Sequence, residues 1–184
     1  MVSEHKLLRG VASRDQQAFR TLYAEYQRRL FVYFMKMIRD EGRAEELVND
    51  VMWEVWRGAQ SYEGRSALST WIFGIAHHKA MDEVRRRRPQ MMEEEVLDRV
   101  ADPAEGAVEA MEKQDVAQAM KLALGKLSAE HREVLEMTYY QHFSVQEIAE
   151  TLGIPEGTVK TRMFYARQRL KEILKQMGFK GEGS

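Results

Sequence analysis

Cysteine is absent from the 184 residues and proline occurs only three times. Without thiols the chain forms no disulfide, offers no thiolate to a metal and runs no thiol redox chemistry of its own. Long apolar runs are missing too. No stretch approaches the roughly 18 uninterrupted apolar residues of a membrane span, and the opening MVSEHKLLRGVASRDQQ has no apolar signal-like core. A cytoplasmic protein without membrane insertion is therefore expected. The shortage of proline and of β-branched runs, beside 12 methionines, points to an all-α fold. The length allows one domain or two small ones, either large enough to bury a core.

Charge of one sign is also lacking overall, since 28 Lys and Arg face 29 Asp and Glu for a net charge of -1. Its distribution is uneven. Residues 1–88 hold 16 cationic and 12 acidic side chains, residues 89–124 hold 3 and 9, and residues 125–184 hold 9 and 8. An acidic middle thus offsets two more basic flanks. The basic run Arg85-Arg86-Arg87-Arg88 stops at Pro89 and gives way to Met91-Met92-Glu93-Glu94-Glu95, while Pro103 and Gly106 mark a second break. This predicts two small helical domains, 1–88 and 105–184, joined by an acidic linker over 89–104. The linker's acidity suits a solvated tether or a DNA-mimicking shield over basic surfaces.

In the first half, Phe19, Leu22, Tyr23, Tyr26, Leu30, Phe31 and Phe34 recur at spacings of three and four, predicting a helix over about 15–38 that Gly42 breaks. A second amphipathic helix follows, with Ala44, Leu47, Val48, Val51, Val55 and Trp56 inward. Its other face carries Glu46, Asp50 and Glu54 four apart, so three carboxylates share one ridge. A metal bundle would need a Glu-x-x-His partner pattern, which is missing; the ridge reads as a solvated face or a docking surface for a basic partner. A polar loop, Gly58 to Ser69, then feeds a third helix bearing Trp71, His77, His78, Lys79, Arg85 and Arg86, with Tyr62 in the loop. Cations interleaved with aromatics suit single-stranded nucleic acid, because cations meet phosphates and rings stack on bases. Trp71 also fits a core position. The His77-His78 pair cannot face one metal from a regular helix without further ligands.

The second half predicts a helix over 107–124, another after Leu127-Ser128, and a break at Gln141-His142-Phe143. Ser144-Val-Gln-Glu147 has the capping-box form, so a short helix starts there. After the turn at Leu152-Gly153-Ile154, Pro155 and Gly157 lead into a basic helix with Val159, Met163, Ala166 and Leu170 inward. A short helix, a glycine turn and a basic helix make a helix-turn-helix. A helix of about 16 residues is roughly 24 Å long and fits the B-DNA major groove. Thr158, Lys160 and Thr161 lie at its entering end, with Arg162, Phe164, Tyr165 and Arg167 following.

With those residues in place, AEELVNDVMWEVWR and STWIFGIAHHKAMDEVRRRR, followed by LSAEHREVLEMTYYQHFSVQEIAETLGIPEGTVKTRMFYARQRL, resemble the two domains of extracytoplasmic-function (ECF) sigma factors, bacterial transcription initiation factors, over nearly the whole chain. The carboxy-terminal motif alone is shared with response-regulator-type activators; the two motifs in this order are far more specific. The resemblance implies that Glu46, Asn49, Asp50 and Glu54 dock on core RNA polymerase, which the family meets at the largest-subunit coiled coil and the flap. It implies that Tyr62, Arg65, Ser66, Trp71, His77, His78, Lys79, Arg85 and Arg86 serve minus-ten melting and capture of a flipped single-stranded base. Thr158, Lys160, Thr161, Arg162, Phe164, Tyr165 and Arg167 match the reader of duplex DNA at the minus-thirty-five element. An anti-sigma factor that holds the protein inactive is a further expected partner.

Two positions depart from the family pattern. His78 replaces a usual asparagine of the minus-ten helix, and Met52 replaces a phenylalanine of the docking helix, which changes packing only. No enzyme activity, catalytic residue, cofactor or metal is expected. Two rivals remain: a conventional regulator using the helix-turn-helix alone, and a metal-dependent helical-bundle enzyme using the carboxylate ridge with His77 or His78.

Overall fold

The computed structural model describes residues 4–98 and 113–179. Among these, helix is the only regular structure, and four of the helices start at a capping side chain. A short α1 (Glu4–Ala12) precedes the first expected helix and buries Leu7, Leu8 and Val11. It crosses α2 (Gln16–Ile38) closely enough that a Cβ on Gly10 would come within 2.6 Å of the Ala18 Cβ, so the crossing needs glycine. Asp15 caps α2 by accepting the backbone N–H groups of Gln17 and Ala18.

The break after α2 differs from expectation. It falls at Arg39, in the left-handed region at φ 55°, and Asp40, whose carboxylate accepts the Arg43 N–H at 2.9 Å. Gly42 lies inside the first turn of α3 (Glu41–Gly58). An aspartate with an N–H to accept starts a helix more firmly than one glycine stops it, about 1 kcal/mol for the cap. A 3-10 turn over Ala59–Ser61 and an irregular stretch over 62–67 then lead into α4 (Leu68–Asp98).

Tyr26, Leu30, Tyr33 and Phe34 of α2, Val51, Met52 and Val55 of α3, and Ile72 and Phe73 of α4 are essentially sealed from solvent and form the first core. Burying each large apolar side chain contributes about 1.5–3 kcal/mol. Met52, at 1% exposure, fills the core as the sequence reading requires. The helix α4 runs on through Pro89 to Asp98, so the part of the expected 89–104 linker that is described, 89–98, is helical. Met91, Met92, the Glu93–Glu95 run and Leu97 are strong helix formers, and one missing proline N–H does not outweigh them. The second expected break at Pro103 and Gly106 lies outside the described residues, as does the start of the helix expected over 107–124.

The second half comprises α5 (Lys113–Gly125), α6 (Ala129–Tyr139), α7 (Val145–Leu152) and α8 (Glu156–Gln176). Ser128 caps α6, and Ser144 and Glu147 form the expected capping box of α7. Gly153 ends α7 at φ 65°, a left-handed position that favours glycine. Val134, Met137, Ile148, Val159, Met163, Ala166 and Ile173 close the second core.

The two halves are packed together. The helix α7 lies along α4, and α6 lies against α2. Phe73 meets Phe143 edge to face at 5.3 Å, and Arg29 Nε donates to Gln141 Oε1 at 3.2 Å. Arg132 Nη1 donates to the Lys36 carbonyl at 3.1 Å, and the Arg39 guanidinium rests against Gly125. Lys36 Nζ lies 3.4 Å from Glu136 Oε2. At the centre, Tyr33 donates its hydroxyl hydrogen to Glu133 Oε1 at 2.5 Å, and His77 Nδ1 lies 2.8 Å from the same oxygen.

Candidate protein and nucleic-acid interfaces

The outer face of α3 carries the first candidate surface. Glu46, Asn49, Asp50 and Glu54 are all exposed, opposite the buried Leu47, Val48, Val51 and Val55. Their present partners differ. Arg43 Nη1 donates to Glu46 at 2.6 Å, the Tyr23 hydroxyl donates to Asn49 Oδ1 at 2.7 Å, and Lys79 Nζ pairs with Glu54 at 2.6 Å. Asp50 has no such partner among the described residues. The sequence reading passed over Trp53, which stands on this same stripe and is 58% exposed. Spacing gives the signal: 46, 49, 50, 53 and 54 share one helical face.

The loop after α3 is shaped by its own groups. The Tyr62 hydroxyl donates to the Ser66 carbonyl, Tyr62 packs on Trp71 at 4.9 Å, and Gly64 adopts φ 69°. Arg65 points outward beside Glu63. Ser66, Trp71, His78 and Lys79 line an open cleft of about 790 Å³ whose far wall is Glu150 and Thr151 of α7. Trp71 is therefore half-buried, part packing and part cleft wall, and His78 is exposed. His77 is placed differently from its neighbour. It turns into the contact between the two halves, toward Glu133, instead of the open face.

The arginine run divides by helical phase. Arg85 and Arg86 are exposed and pair along the helix with Asp82 and Glu83, while Arg87 turns inward. Glu83, 3% exposed, receives Arg43 Nε at 3.0 Å, Arg87 Nε at 2.6 Å and Arg86. Burial by itself raises its pKa, but the hydrogen bonds from Arg86, Arg87 and Arg43 outweigh it and hold the carboxyl at about 2. Arg87 also reaches Asp40 at 2.8 Å, and the Arg43 backbone N–H with Arg87 keeps Asp40 below the ordinary carboxylate range. Arg43 and Arg87 thus clamp α4 to α3.

On α8, Lys160, Thr161, Phe164, Tyr165 and Arg167 are exposed, and Thr158 and Arg162 are half-buried. Thr161 back-bonds to the Gly157 carbonyl at 2.9 Å, and Lys160 lies 3.6 Å from Glu156. Phe164 and Tyr165 stand free at 56% and 53% exposure, edge to face with each other at 5.4 Å. Arg167 Nε donates to the Tyr139 hydroxyl at 3.1 Å. A helix with bare rings and cations on its outer face, seated on a capped α7 and a glycine turn, has the form that enters a DNA groove. No cluster of His, Asp or Glu side chains suited to a metal occurs among the described residues, and no helix there is long and apolar enough to cross a membrane.

The helical first half and the helix-turn-helix second half each match a region of the sigma-70 class of initiation factors. Sigma-70 region 2 matches residues 22–90, and Sigma-70 region 4 matches residues 123–172. The ECF RNA polymerase sigma factor SigK of Mycobacterium sp. (strain KMS) is 30% identical over 171 residues, 91% of this chain and 89% of the relative. SigL of Mycobacterium tuberculosis (strain ATCC 25618 / H37Rv) is 29% identical, covering 92% and 96%. Among solved structures, CnrH in complex with the cytosolic domain of CnrY aligns with a TM-score of 0.69 at 26% identity, over 92% and 96% of the two chains. The sigma factor RpoE in complex with the anti-sigma factor NepR from Bartonella quintana aligns at 0.65 and 26%, over 85% and 96%. This chain belongs to the ECF RNA polymerase sigma factors. It is a transcription initiation factor, a reading the paired matches favour over a plain helix-turn-helix regulator; its partners are RNA polymerase and promoter DNA.

Proposed function

We propose how the work is divided along the chain. Residues 1–88 form the docking and melting part, 89–104 connect, and 105–184 read the upstream element. The exposed stripe Glu46, Asn49, Asp50 and Glu54 meets the largest-subunit coiled coil of core polymerase, with the carboxylates steering a basic partner surface. The carboxy-terminal domain meets the flap. The loop with Tyr62, Arg65 and Ser66, the cleft wall Trp71, His78 and Lys79, and the outward Arg85 and Arg86 hold the melted minus-ten strand. Stacking and phosphate contacts there offset a flipping cost of a few kcal/mol. His77 joins that surface once it is free of Glu133. Thr158, Lys160, Thr161, Arg162, Phe164, Tyr165 and Arg167 read the minus-thirty-five duplex.

An anti-sigma factor is the proposed inhibitor. Its support is the neighbour RpoE, solved with the anti-sigma factor NepR, together with a groove of about 1190 Å³ between α2, α5, α6 and α8, floored by Met35, Leu124, Leu135 and Leu174 and edged by Lys36 and Lys171. An acidic amphipathic helix suits that lining. The protein acts in the cytoplasm, and polymerase carries out the chemistry.

The observation that carries the docking reading is the α3 stripe, exposed at every position, with Asp50 left unpaired among the described residues. Asp50→Arg tests it. The variant should fold normally and bind core polymerase at least tenfold more weakly; unchanged affinity would remove Asp50 from the docking surface.

A further inference from the structure

The groove between α2, α5, α6 and α8 holds a buried charge that no acid of the described residues answers. Arg132 of α6 lines it and is only 6% exposed. Its Nη1 donates to the Lys36 carbonyl at 3.1 Å, but its Nε has no hydrogen-bond partner, and no carboxylate pairs with it among the described residues. Arg39, at the end of α2, brings a second guanidinium to the same lining, where it rests against Gly125. Burial, and then the charge of Arg39, push the Arg132 pKa down to about 10, so the group is still cationic at neutral pH. Buried charges are costly unless paired, and this one has a like charge for a neighbour.

The rest of the lining selects the kind of anion that belongs there. Met35, Met120, Leu124, Leu135, Leu170 and Leu174 make the walls apolar. The volume of about 1190 Å³ lies near the upper end of small-molecule pockets, about 300–1,000 Å³. Seven of the lining side chains are cationic and one, Glu136, is acidic; Lys36 Nζ already lies 3.4 Å from it. An inorganic anion would leave the leucines wet. An amphipathic helix laid on the leucines would turn its acids the other way, toward the rim lysines, because its charged face lies opposite its apolar stripe. Arg132, deep in the lining, would stay unanswered. A single-chain amphipath meets both demands: its carboxylate accepts from guanidinium N–H groups, and its chain covers the apolar walls.

We propose that this groove is a binding site for a long-chain monocarboxylate, a fatty acid, with its head on Arg132 and Arg39 and its chain along Met35, Leu124, Leu135 and Leu174. The ligand and an inhibitor's helix would use one lining, so each excludes the other. The site itself does not rest on the inhibitor reading.

Decanoate, far below the concentration at which it forms micelles, is titrated calorimetrically into the full-length protein. One saturable site with a micromolar Kd is expected. Each methylene removed from water strengthens binding about fourfold, so hexanoate should bind on the order of 200-fold more weakly. Decanol, which has the chain without the charge, should bind about tenfold more weakly or worse. Arg132→Met keeps an unbranched stem and should weaken decanoate about tenfold or more; Arg39→Gln, at an exposed position, should weaken it about threefold or more. If Arg132→Met fails to fold, Arg39→Gln decides. Methyl NMR places the ligand: the Met35 and Met120 signals should shift during the titration, while Met52, sealed in the first core, should not. No saturable binding would leave the groove to a protein helix and overturn the proposal. Decanol binding as tightly as decanoate, decanoate affinity unchanged in the arginine variants, or Met35 and Met120 signals that stay in place would each overturn it as well.

Discussion

Glu83 and Glu133 are both glutamates on helices, 3% and 0% exposed, yet their surroundings are opposite. Three guanidiniums saturate Glu83 from within one domain, so that its pKa falls to about 2 against the pull of burial. Glu133 is met across a domain boundary by a phenol and an imidazole on a single oxygen, and its other oxygen is orphaned. Burial, with the Glu133 charge and hydrogen bond added, pushes the Tyr33 phenol far above its ordinary range, so it remains a donor. A carboxylate that must never let go is fully paired. One that bridges the two halves is held through a single oxygen.

The largest effect that would break this comparison is Glu83→Ala. Removing it breaks the hydrogen bonds from Arg43, Arg86 and Arg87, leaving Arg43 with Glu46 and Arg87 with Asp40, and should cost about 3–5 kcal/mol in urea unfolding of the amino-terminal domain. Glu133→Ala, which leaves the buried Tyr33 hydroxyl without its acceptor, should cost less, about 1–3 kcal/mol in the same unfolding. Equal losses from the two would erase the distinction.

Acid and base sharpen it next. The Glu83 pKa is lowered, so its contribution, on the order of 3 kcal/mol, is complete above about 4.5 and is lost as pH falls toward 2. Glu136 at the domain contact is shifted the other way: burial raises its pKa despite Lys36 and Gln141. Its contribution is complete below the ordinary glutamate value and fades as pH rises through the elevated one. Acid should therefore loosen the α3–α4 clamp while favouring the α6–α2 contact, read by unfolding over one pH series.

Smaller effects lie outside both carboxylates. Arg162→Ala should cost about 1–3 kcal/mol in minus-thirty-five-dependent transcription without altering the Glu83 clamp. An equal loss on every promoter sequence would assign Arg162 to phosphate. Ser144→Ala removes the capping box of α7 and should cost about 1 kcal/mol of carboxy-terminal domain stability, read by thermal unfolding.

What was legible in the sequence was local or periodic. Ser128 and the Ser144–Glu147 box announce helix starts within four residues, and the spacing of Leu22, Tyr26, Leu30 and Phe34 announces a buried face. The helix-turn-helix was readable for the same reason. Nine residues of α1 carry too short a pattern to register, and proline at 89 suggested an end that neighbouring helix formers override. Long-range pairing left no local trace. Glu133 finds its partners 100 and 56 residues away, and Arg43 finds Glu83 40 away, so all read as ordinary helix charges. His77 and His78 look equivalent in sequence; helical phase sends one into the domain contact and leaves the other on the cleft. Trp53 was missed because the charged stripe drew attention to the carboxylates around it.

The most direct test of the central claim is transcription with purified core polymerase on fragmented genomic DNA from the source organism, with and without this protein, mapping the transcript starts. Discrete new starts that share two upstream elements are predicted. An active core polymerase that gains no new starts from inhibitor-free protein would contradict it.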